Sequence, residues 1–189
     1  GPAGLAAALA AGRAGARVML VDEDFLLGGR LLSELTEIDG MPAALWARQA
    51  ESELASLGNV RTLRRTSVFG VYDGEYGLLE RVADHLPSPA EFMPRQRLWK
   101  VVAREALLAS GATERPMVFA GNDLPGVMLA SAVRSYVNRF AASPGRRAIV
   151  FTATDDGWRT AADLRRCGVR VEAVLDTGGV VVRQPLPPG

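Results

Sequence analysis

The first thirty residues constrain this chain most, because glycines, an Ala-rich run, a short apolar run and an acid follow one another in a fixed order. Gly1 and Gly4 have the spacing of the second and third glycines of a G-x-G-x-x-G motif. Leu5 to Ala14 predicts a helix, and Val18 to Val21 predicts a strand that ends at Asp22. An acid at this distance binds the ribose in a βαβ unit that holds a dinucleotide. The order predicts such a nucleotide site, whose first strand and first glycine would precede Gly1.

Each residue of this motif has a physical reason to be there. Gly1 lets the backbone approach a pyrophosphate closely. Pro2 suits the first turn of a helix, where Ala3 also lies. The free N–H groups of that turn, together with the helix dipole, favour the binding of phosphate. We expect Gly4 to let the helix pack tightly on the sheet and Gly15 to end the helix. Chance glycines in an Ala-rich helix are the alternative, against which the ordered set of features argues.

Further residues extend the predicted site. The forked guanidinium of Arg30 suits a phosphate, although a surface arginine explains it equally well. Val68 could give backbone contacts to adenine or belong to an ordinary edge strand, and the small Ser110 and Gly111 permit a ligand to approach closely. The predicted cofactor-binding residues are Gly1, Pro2, Ala3, Gly4, Asp22, Glu23, Gly28, Gly29, Arg30, Leu31, Val68, Ser110 and Gly111.

Downstream of these glycines the patterns predict one helix and a group of strands. Residues 42–57 predict an amphipathic helix, whose apolar stripe consists of Leu45, Trp46, Ala50, Leu54 and Leu57. Asp73-Gly74 is a hairpin signal within a small β meander. Ala106 to Ala112 predicts a buried strand that runs into a glycine turn. The strands of the meander are predicted over 60–63, 66–72, 76–82 and 97–102.

The last third of the chain predicts a second βαβ unit without nucleotide. A helix is expected over 127–141, a strand over 147–151, a helix from Trp158 to Arg166 and a strand from Val169 to Leu175. Thr152, Thr154 and Gly157 hold the places of the three glycines, so two glycines are replaced by residues with side chains. Asp155 and Asp156 would satisfy the helix dipole and repel phosphate, and Cys167 is expected to be a buried small residue. The predicted division is 1–126 with the meander inserted at 60–105, then 127–178, then a linker or strand over 179–189.

Composition excludes several classes of function. The chain has 189 residues, 48% of them apolar, and a net charge of +1, so neither a nucleic acid nor a membrane is an expected partner. A single cysteine excludes an internal disulfide, and the lack of a CxxC argues against a redox-active disulfide reductase. A reducing, cytoplasmic setting fits best. We find no metal-ligand cluster and no candidate catalytic residue in the sequence, which suits a chain that holds a cofactor.

The order of these segments resembles the flavoproteins with two dinucleotide-binding domains. The fold class expected from it is α/β, with two Rossmann-like βαβ units of the FAD/NAD(P)-binding, disulfide-reductase-like type and a small β meander. A narrower resemblance is to the alpha subunits of heterotetrameric sarcosine oxidases. It rests on Phe151-Thr152 and Asp155-Asp156 in the second turn and on four segments: Val21 to Phe25 with Gly28 to Leu31, Val68 to Asp73, Ala112 to Pro116 with Val118 to Ala120, and Asn122 to Ala130.

This resemblance implies a cofactor-holding part of a larger oxidoreductase. The parent enzyme would oxidise sarcosine to glycine with oxygen and tetrahydrofolate and would release hydrogen peroxide. It would also contain beta, gamma and delta subunits, with FMN at the alpha–beta interface and FAD in the beta subunit. The alpha subunit would bind NAD without using it for turnover, through Gly1, Gly4, Asp22, Glu23, Gly29 and Arg30.

Alternatives remain open at this point. The GPAGL and Gly-Gly-Arg features alone favour FAD at the same site as much as NAD. The chain could then be the FAD-binding subunit of a related amine or opine dehydrogenase, or a flavin-dependent pyridine-nucleotide oxidoreductase, and a scaffold with a structural nucleotide is a third reading. We also expect residues 1–189 alone to bind a dinucleotide much more weakly than the parent subunit.

Overall fold

The computed structural model describes residues 1–177, so the predicted linker over 179–189 lies outside the described residues. The chain divides into two compact units. The first comprises Gly1–Leu31 and Thr36–Gly111, and the second comprises Leu32–Leu35 and the chain from Ala112 onward. Both units contain a parallel β–α–β arrangement, and in the second unit it is the one that the sequence predicts.

A parallel strand pair and two helices build the main layer of the first unit. Helix α1 spans Pro2–Arg13, strand β1 Val18–Val21, helix α2 Ala43–Ser56 and strand β4 Val60–Leu63. Strands β1 and β4 pair in parallel with Val18 opposite Val60, so α2 is the crossover between them. Between β1 and α2 lie a 3₁₀ turn over Gly29–Leu32 and a short antiparallel pair, β2 (Glu37–Ile38) with β3 (Met41–Pro42).

The core of this unit consists of alanine and leucine side chains from both helices and from the segment between β1 and α2. Alanines dominate the α2 face: Ala43, Ala47 and Ala50 are buried beside Leu54. The predicted apolar stripe is wrong at Leu45, whose side chain is 45% exposed. Ala43 and Ala47, which the prediction omitted, lie on the inward face instead. Packing through alanine lets α1 and α2 approach closely. The other buried members are Leu5, Ala8, Leu9, Leu27 and Leu31, with the predicted core residue Trp46 packed against them.

Glycines control how α1 ends and how it packs. The helix ends as predicted at Gly15, which has a φ of +82° and donates its N–H to the Gly12 carbonyl. The expected tight-packing role of Gly4 is wrong, since a Cβ there would lie 3.5 Å from Ala109 Cβ, an ordinary contact. Close approach occurs later in the helix, where a Cβ on Gly12 would lie 2.7 Å from Val60 Cγ2.

An exposed ion pair joins the two helices. Arg13 donates from Nε and Nη2 to the two carboxylate oxygens of Glu53, at 2.6 and 2.7 Å. This side-chain hydrogen bond, with the attraction between the charges, raises the pKa of Arg13 above its ordinary value. The same hydrogen bond lowers the pKa of Glu53 below its ordinary value.

The predicted β meander forms an antiparallel sheet of three strands. Its strands are β5 (Thr66–Tyr72), β6 (Glu75–Glu80) and β7 (Arg97–Val102), in that order. The prediction that 60–63 belongs to it is wrong, because β4 pairs in parallel with β1. The hairpin signal is confirmed, since Asp73 and Gly74 have φ values of +48° and +83°. Two successive left-handed residues match a turn that continues the right-handed twist of the flanking strands.

The strand predicted over 106–112 is absent from the described chain. Leu107 is 68% exposed and Leu108 is 89% exposed, in an irregular segment. Within residues 1–177 no strand pairs with this segment, so its backbone lacks the hydrogen-bonded ladder that would make it a strand.

The second unit contains the other parallel pair. Helix α3 spans Ala130–Arg134 and continues as a π-helix over Ser135–Arg139, so it starts later than the predicted residue 127. Residue Leu129, before the helix, is extended with a ψ of 143°. Strands β8 (Arg147–Thr152) and β9 (Arg170–Asp176) are parallel, joined by helix α4 (Asp155–Arg166).

Two details of this unit differ from expectation. Helix α4 begins at Asp155 and not at Trp158, because acidic residues in a first turn interact favourably with the helix dipole. Cys167 is exposed and not buried as expected, and its thiol donates to the Leu164 carbonyl at 3.0 Å.

The unit's core consists of Val150, Ala161, Leu164, Val169 and Val174. Over residues 1–177 the chain contains no helix of the length and apolarity that a bilayer crossing requires.

Candidate dinucleotide site

The structure brings together three of the predicted residues at the start of α1. Asp22 Oδ2 lies 3.6 Å from the Gly1 nitrogen. A Cβ on Gly29 would lie 2.9 Å from Gly1 Cα, closer than real Cβ contacts, and Gly29 has a φ of +55°. Gly29 is therefore required both by its left-handed backbone and by its contact with Gly1. A Cβ on Gly1 itself would meet nothing within 4 Å, which leaves open space on its other side.

The N-terminus of α1 has the properties of an anion site. Gly1 is its N-cap, no side chain caps it among the described residues, and its first turn carries no acid. The first intrahelical hydrogen bond runs from the Leu5 N–H to the Gly1 carbonyl at 3.1 Å. The N–H groups of Ala3 and Gly4 consequently have no acceptor within the helix, and the helix dipole adds partial positive charge there. Both features fit a diphosphate.

Asp22 is held in a fixed orientation beside this N-terminus. Its Oδ1 accepts the Asp24 N–H at 3.0 Å, which leaves Oδ2 on the side of Gly1. Its backbone N–H donates to the Leu63 carbonyl at 2.9 Å, and its own carbonyl accepts the Thr66 N–H at 3.0 Å. With 18% of its side chain exposed, the carboxylate is accessible but cannot turn freely. A fixed carboxylate next to an anion site suits the ribose of a dinucleotide.

The remaining predicted residues are placed less centrally. Glu23 and Arg30 are exposed, and Gly28 is buried with a φ of +134°. Leu31 is only 6% exposed and belongs to the core, so its side chain supports the site from behind. Val68 lies on β5, two residues beyond Thr66, and is 52% exposed.

The segment that ends at Gly111 passes beside α1. Ala109 Cβ lies 3.5 Å from the position of a Cβ on Gly4. Ser110 and Gly111 follow directly, and Gly111 has a φ of +75°. The small residue Ala109 therefore borders the first turn of α1, and the role predicted for Ser110 and Gly111 in ligand approach stays a prediction.

Sequence reasoning missed the arginines that hold the loop after Asp22. Arg64 Nη1 donates to the Phe25 carbonyl at 3.5 Å, and Arg81 Nη2 donates to the Glu23 carbonyl at 3.3 Å. The Arg65 N–H donates to the Asp24 carbonyl at 3.0 Å. The sequence does show the Arg64-Arg65 pair directly after a strand. Its role in holding this loop could not be inferred without knowing that the strand pairs with β1.

The equivalent turn of the second unit is closed by its own side chains. Thr152 is 5% exposed, accepts the Thr154 N–H at 3.1 Å and donates to the Thr154 carbonyl at 2.8 Å. A Cβ on Gly157 would overlap the Thr152 side chain, so these two residues are in tight contact. Asp156, in the first turn of α4, lies 3.5 Å from Arg134 Nη1. A carboxylate thus stands where the first unit leaves its helix N-terminus open.

We predict opposite outcomes for one substitution at the equivalent glycines of the two turns. Gly157→Ala should destabilise the protein by about 2 kcal/mol, because its Cβ overpacks against Thr152. Gly4→Ala is the matched control and should leave stability unchanged or slightly raised, since a Cβ fits there. Thermal unfolding of both variants measures this, and a Gly157→Ala protein as stable as the wild type would show that the second turn is not tightly packed.

The family of the chain follows from comparison with known proteins. The profile of the FAD dependent oxidoreductase family matches residues 1–119, which include the α1 N-terminus, Asp22 and Gly29. The chain belongs to the FAD dependent oxidoreductase family. This match confirms the α/β fold class expected from the sequence. The site described above lies inside the matched region.

Within this family, the chain is similar to subunits of sarcosine oxidases and of an opine oxidase. The chain is 54% identical over 178 residues to the alpha subunit of sarcosine oxidase from Rhizobium meliloti, a match that covers 94% of this chain and 18% of that protein. It is 45% identical to the alpha subunit of sarcosine oxidase from a Corynebacterium species, over 93% of this chain and 18% of that protein. A subunit of opine oxidase from Agrobacterium tumefaciens is 31% identical over 94% of this chain and 35% of that protein. The chain therefore spans less than a fifth of the sarcosine oxidase subunits.

A solved structure supports the fold of this FAD dependent oxidoreductase chain. L-proline dehydrogenase from P. horikoshii matches with a TM-score of 0.72 and 24% sequence identity. The match covers 90% of this chain and 33% of that protein.

Proposed function

We propose that the chain is the NAD-holding part of the alpha subunit of a sarcosine oxidase. The observation that carries this is the meeting of Asp22, Gly1 and Gly29 at an uncapped helix N-terminus, in a chain 54% identical to the alpha subunit of a sarcosine oxidase. The open N-terminus suits the diphosphate and the oriented carboxylate suits the ribose 2′-hydroxyl. Preference for NAD over NADP follows from the same carboxylate, which repels a 2′-phosphate.

The parent enzyme would demethylate sarcosine oxidatively to glycine. Two electrons would pass from the N-methyl group to oxygen, giving hydrogen peroxide, while tetrahydrofolate accepts the one-carbon unit. Beta, gamma and delta subunits would be its partners, with FAD and FMN held elsewhere in the complex. The single cysteine fits a cytoplasmic enzyme.

The residues of this chain would bind and orient the dinucleotide. The N–H groups at the start of α1 hold the diphosphate, Gly29 lets the chain approach it, and Asp22 fixes the adenosine ribose. When bound, NAD supplies a nicotinamide ring that can accept hydride. The described site offers backbone donors and one fixed carboxylate, and the proposal therefore assigns the dinucleotide a structural role.

FAD at the same site is the second candidate, and two observations favour it. The family whose profile matches residues 1–119 is FAD dependent, and an opine oxidase subunit is 31% identical to this chain. The ADP half of FAD has the same diphosphate and the same ribose as NAD, so the geometry of Gly1, Asp22 and Gly29 accepts both. The alternative function is the FAD-binding subunit of an amine or opine dehydrogenase.

One experiment separates these candidates. The full-length protein that carries this sequence is purified with its partners and denatured, and each released cofactor is identified by mass. An Asp22→Ala complex is compared with the wild type, and we expect it to lose NAD selectively while the flavins remain. Loss of FAD in the variant would instead assign FAD to this site.

Activity is tested on the same preparations. We expect hydrogen peroxide from the wild-type complex on addition of sarcosine, and none on addition of an opine such as octopine. Peroxide formation or dye reduction with the opine and not with sarcosine would overturn the proposed substrate.

A further inference from the structure

We propose that Arg65 and Phe25 form the platform on which the adenine ring of the dinucleotide stacks. The proposal rests on the dinucleotide site proposed above, but not on the choice between NAD and FAD, which both contain adenosine. The Arg65 guanidinium lies over the Phe25 ring, with Cζ 5.2 Å from the ring centroid. Phe25 is 40% exposed, so this stacked pair reaches the surface.

The pair belongs to the two chain segments next to Asp22, whose carboxylate is assigned to the ribose. The Thr66 N–H donates to the Asp22 carbonyl, and the Arg65 N–H donates to the Asp24 carbonyl, both at 3.0 Å. Arg65 and Phe25 are thus fixed to the same short loop as Asp22. Because adenine is joined to that ribose by a single bond, the groups next to Asp22 are those that the base can reach.

The backbone of Arg65 has a conformation that is uncommon for residues other than glycine. Its φ of +51° lies in the left-handed region, where glycine or asparagine is usual and a residue with a long side chain is uncommon. A strained residue persists where the surrounding structure holds it, and such residues cluster at ligand sites. Here the N–H and carbonyl of Arg65 are both bonded, to the Asp24 carbonyl and the Arg81 N–H.

The chemistry of the pair matches a purine. A guanidinium and a phenyl ring are flat, and both stack on nucleobases without reading their edges. The positive charge of Arg65 also favours the electron-rich face of adenine and the nearby diphosphate. The side chain of Val68, for which the sequence left backbone contacts to adenine open, offers no flat surface.

The test uses Arg65→Gly in the full-length protein. Glycine tolerates the φ of this position, so the fold should remain intact while the guanidinium is removed. We expect the affinities for both NAD and ADP to fall about tenfold, within the range that stacking contributes per base. Calorimetric titration measures NAD, ADP and FAD, and the melting temperature of Arg65→Gly without ligand should be equal to or above that of the wild type.

Two further variants make the result specific. Asp73→Gly changes another left-handed residue, with a φ of +48° at the β5–β6 hairpin, and should leave both affinities unchanged. Arg65→Lys keeps the charge but not the flat group, and should bind more weakly than the wild type. Wild-type affinity in Arg65→Lys, or in Arg65→Gly, would overturn the platform.

The same titrations separate this inference from the proposed function. If the wild type binds FAD and not NAD, and Arg65→Gly weakens FAD and ADP together, the platform stands and the choice of NAD fails. If NAD weakens in Arg65→Gly while ADP does not, the platform is wrong although NAD binds. A wild type that binds none of these ligands would overturn both proposals.

Discussion

Arg134→Ala should destabilise the protein by about 3–5 kcal/mol, the cost of removing one partner of a buried ion pair. Arg134 is 5% exposed, and its Nε lies 3.3 Å from Oδ2 of Asp163, whose side chain is 7% exposed. Its Nη1 lies 3.7 Å from Glu34 and 3.5 Å from Asp156. Removal of the guanidinium leaves three carboxylates close together, and the mostly buried carboxylate of Asp163 then keeps Asn138 and Arg166 as partners.

Denaturant unfolding of the variant measures this loss. Arg147→Ala is the matched control, because Arg147 is 76% exposed and lies 3.9 Å from Glu172 in a surface pair. Its substitution should change the free energy of unfolding by about 0.5 kcal/mol or less. If the two variants lose equal stability, the Arg134 cluster is not the buried network that its geometry indicates.

This cluster was beyond sequence reasoning for a physical reason. The sequence shows Arg134, Asn138 and Asp163 as polar residues on two amphipathic helices, which normally places them in water. The π-helix at Ser135–Arg139 shifts the helix face, and the Asn138 amide then donates to Asp163 Oδ2 at 2.8 Å. A local widening of a helix and the partners it brings inward depend on tertiary packing, which no local pattern encodes.

The start of the chain was predictable because its signals are local. Gly1 to Gly4, the Ala-rich helix, the strand that ends at Asp22 and the left-handed Gly29 each impose a backbone conformation within a few residues. The sequence could not rank the glycines, however. Gly12 and Gly29 are required by contact with Val60 and Gly1, which are distant in the sequence, whereas Gly4 has space for a Cβ.

The prediction over 106–112 shows the opposite case. The apolar run Ala106 to Ala109 has the composition of a buried strand, but composition supplies no pairing partner. In the described chain this segment instead contacts α1 through Ala109 and is otherwise exposed. A strand is a property of two segments, so a single segment can indicate only that it would suit one.

Asp22→Asn should weaken NAD binding by the full-length protein about 10- to 100-fold. A hydrogen bond to a charged group contributes roughly 1.5–3 kcal/mol, and about 1.4 kcal/mol is a tenfold change in affinity. Asparagine retains an oxygen that accepts the Asp24 N–H, so the loop should keep its shape. The second carboxylate oxygen, on the side of Gly1, is replaced by an amide that donates and carries no charge.

The same substitution tests cofactor selectivity. The wild type should prefer NAD to NADP, because the Asp22 carboxylate accepts from a ribose 2′-hydroxyl and repels a 2′-phosphate. In Asp22→Asn the repulsion is removed, so NADP affinity should rise while NAD affinity falls. Asp84→Asn, an equal change at an exposed acid bonded to Gln96, is the control and should alter neither affinity. Titration of both nucleotides into the three proteins decides the matter. Equal or tighter binding of NADP by the wild type would show that Asp22 does not bind the ribose. The anion site at the start of α1 could still be correct in that case.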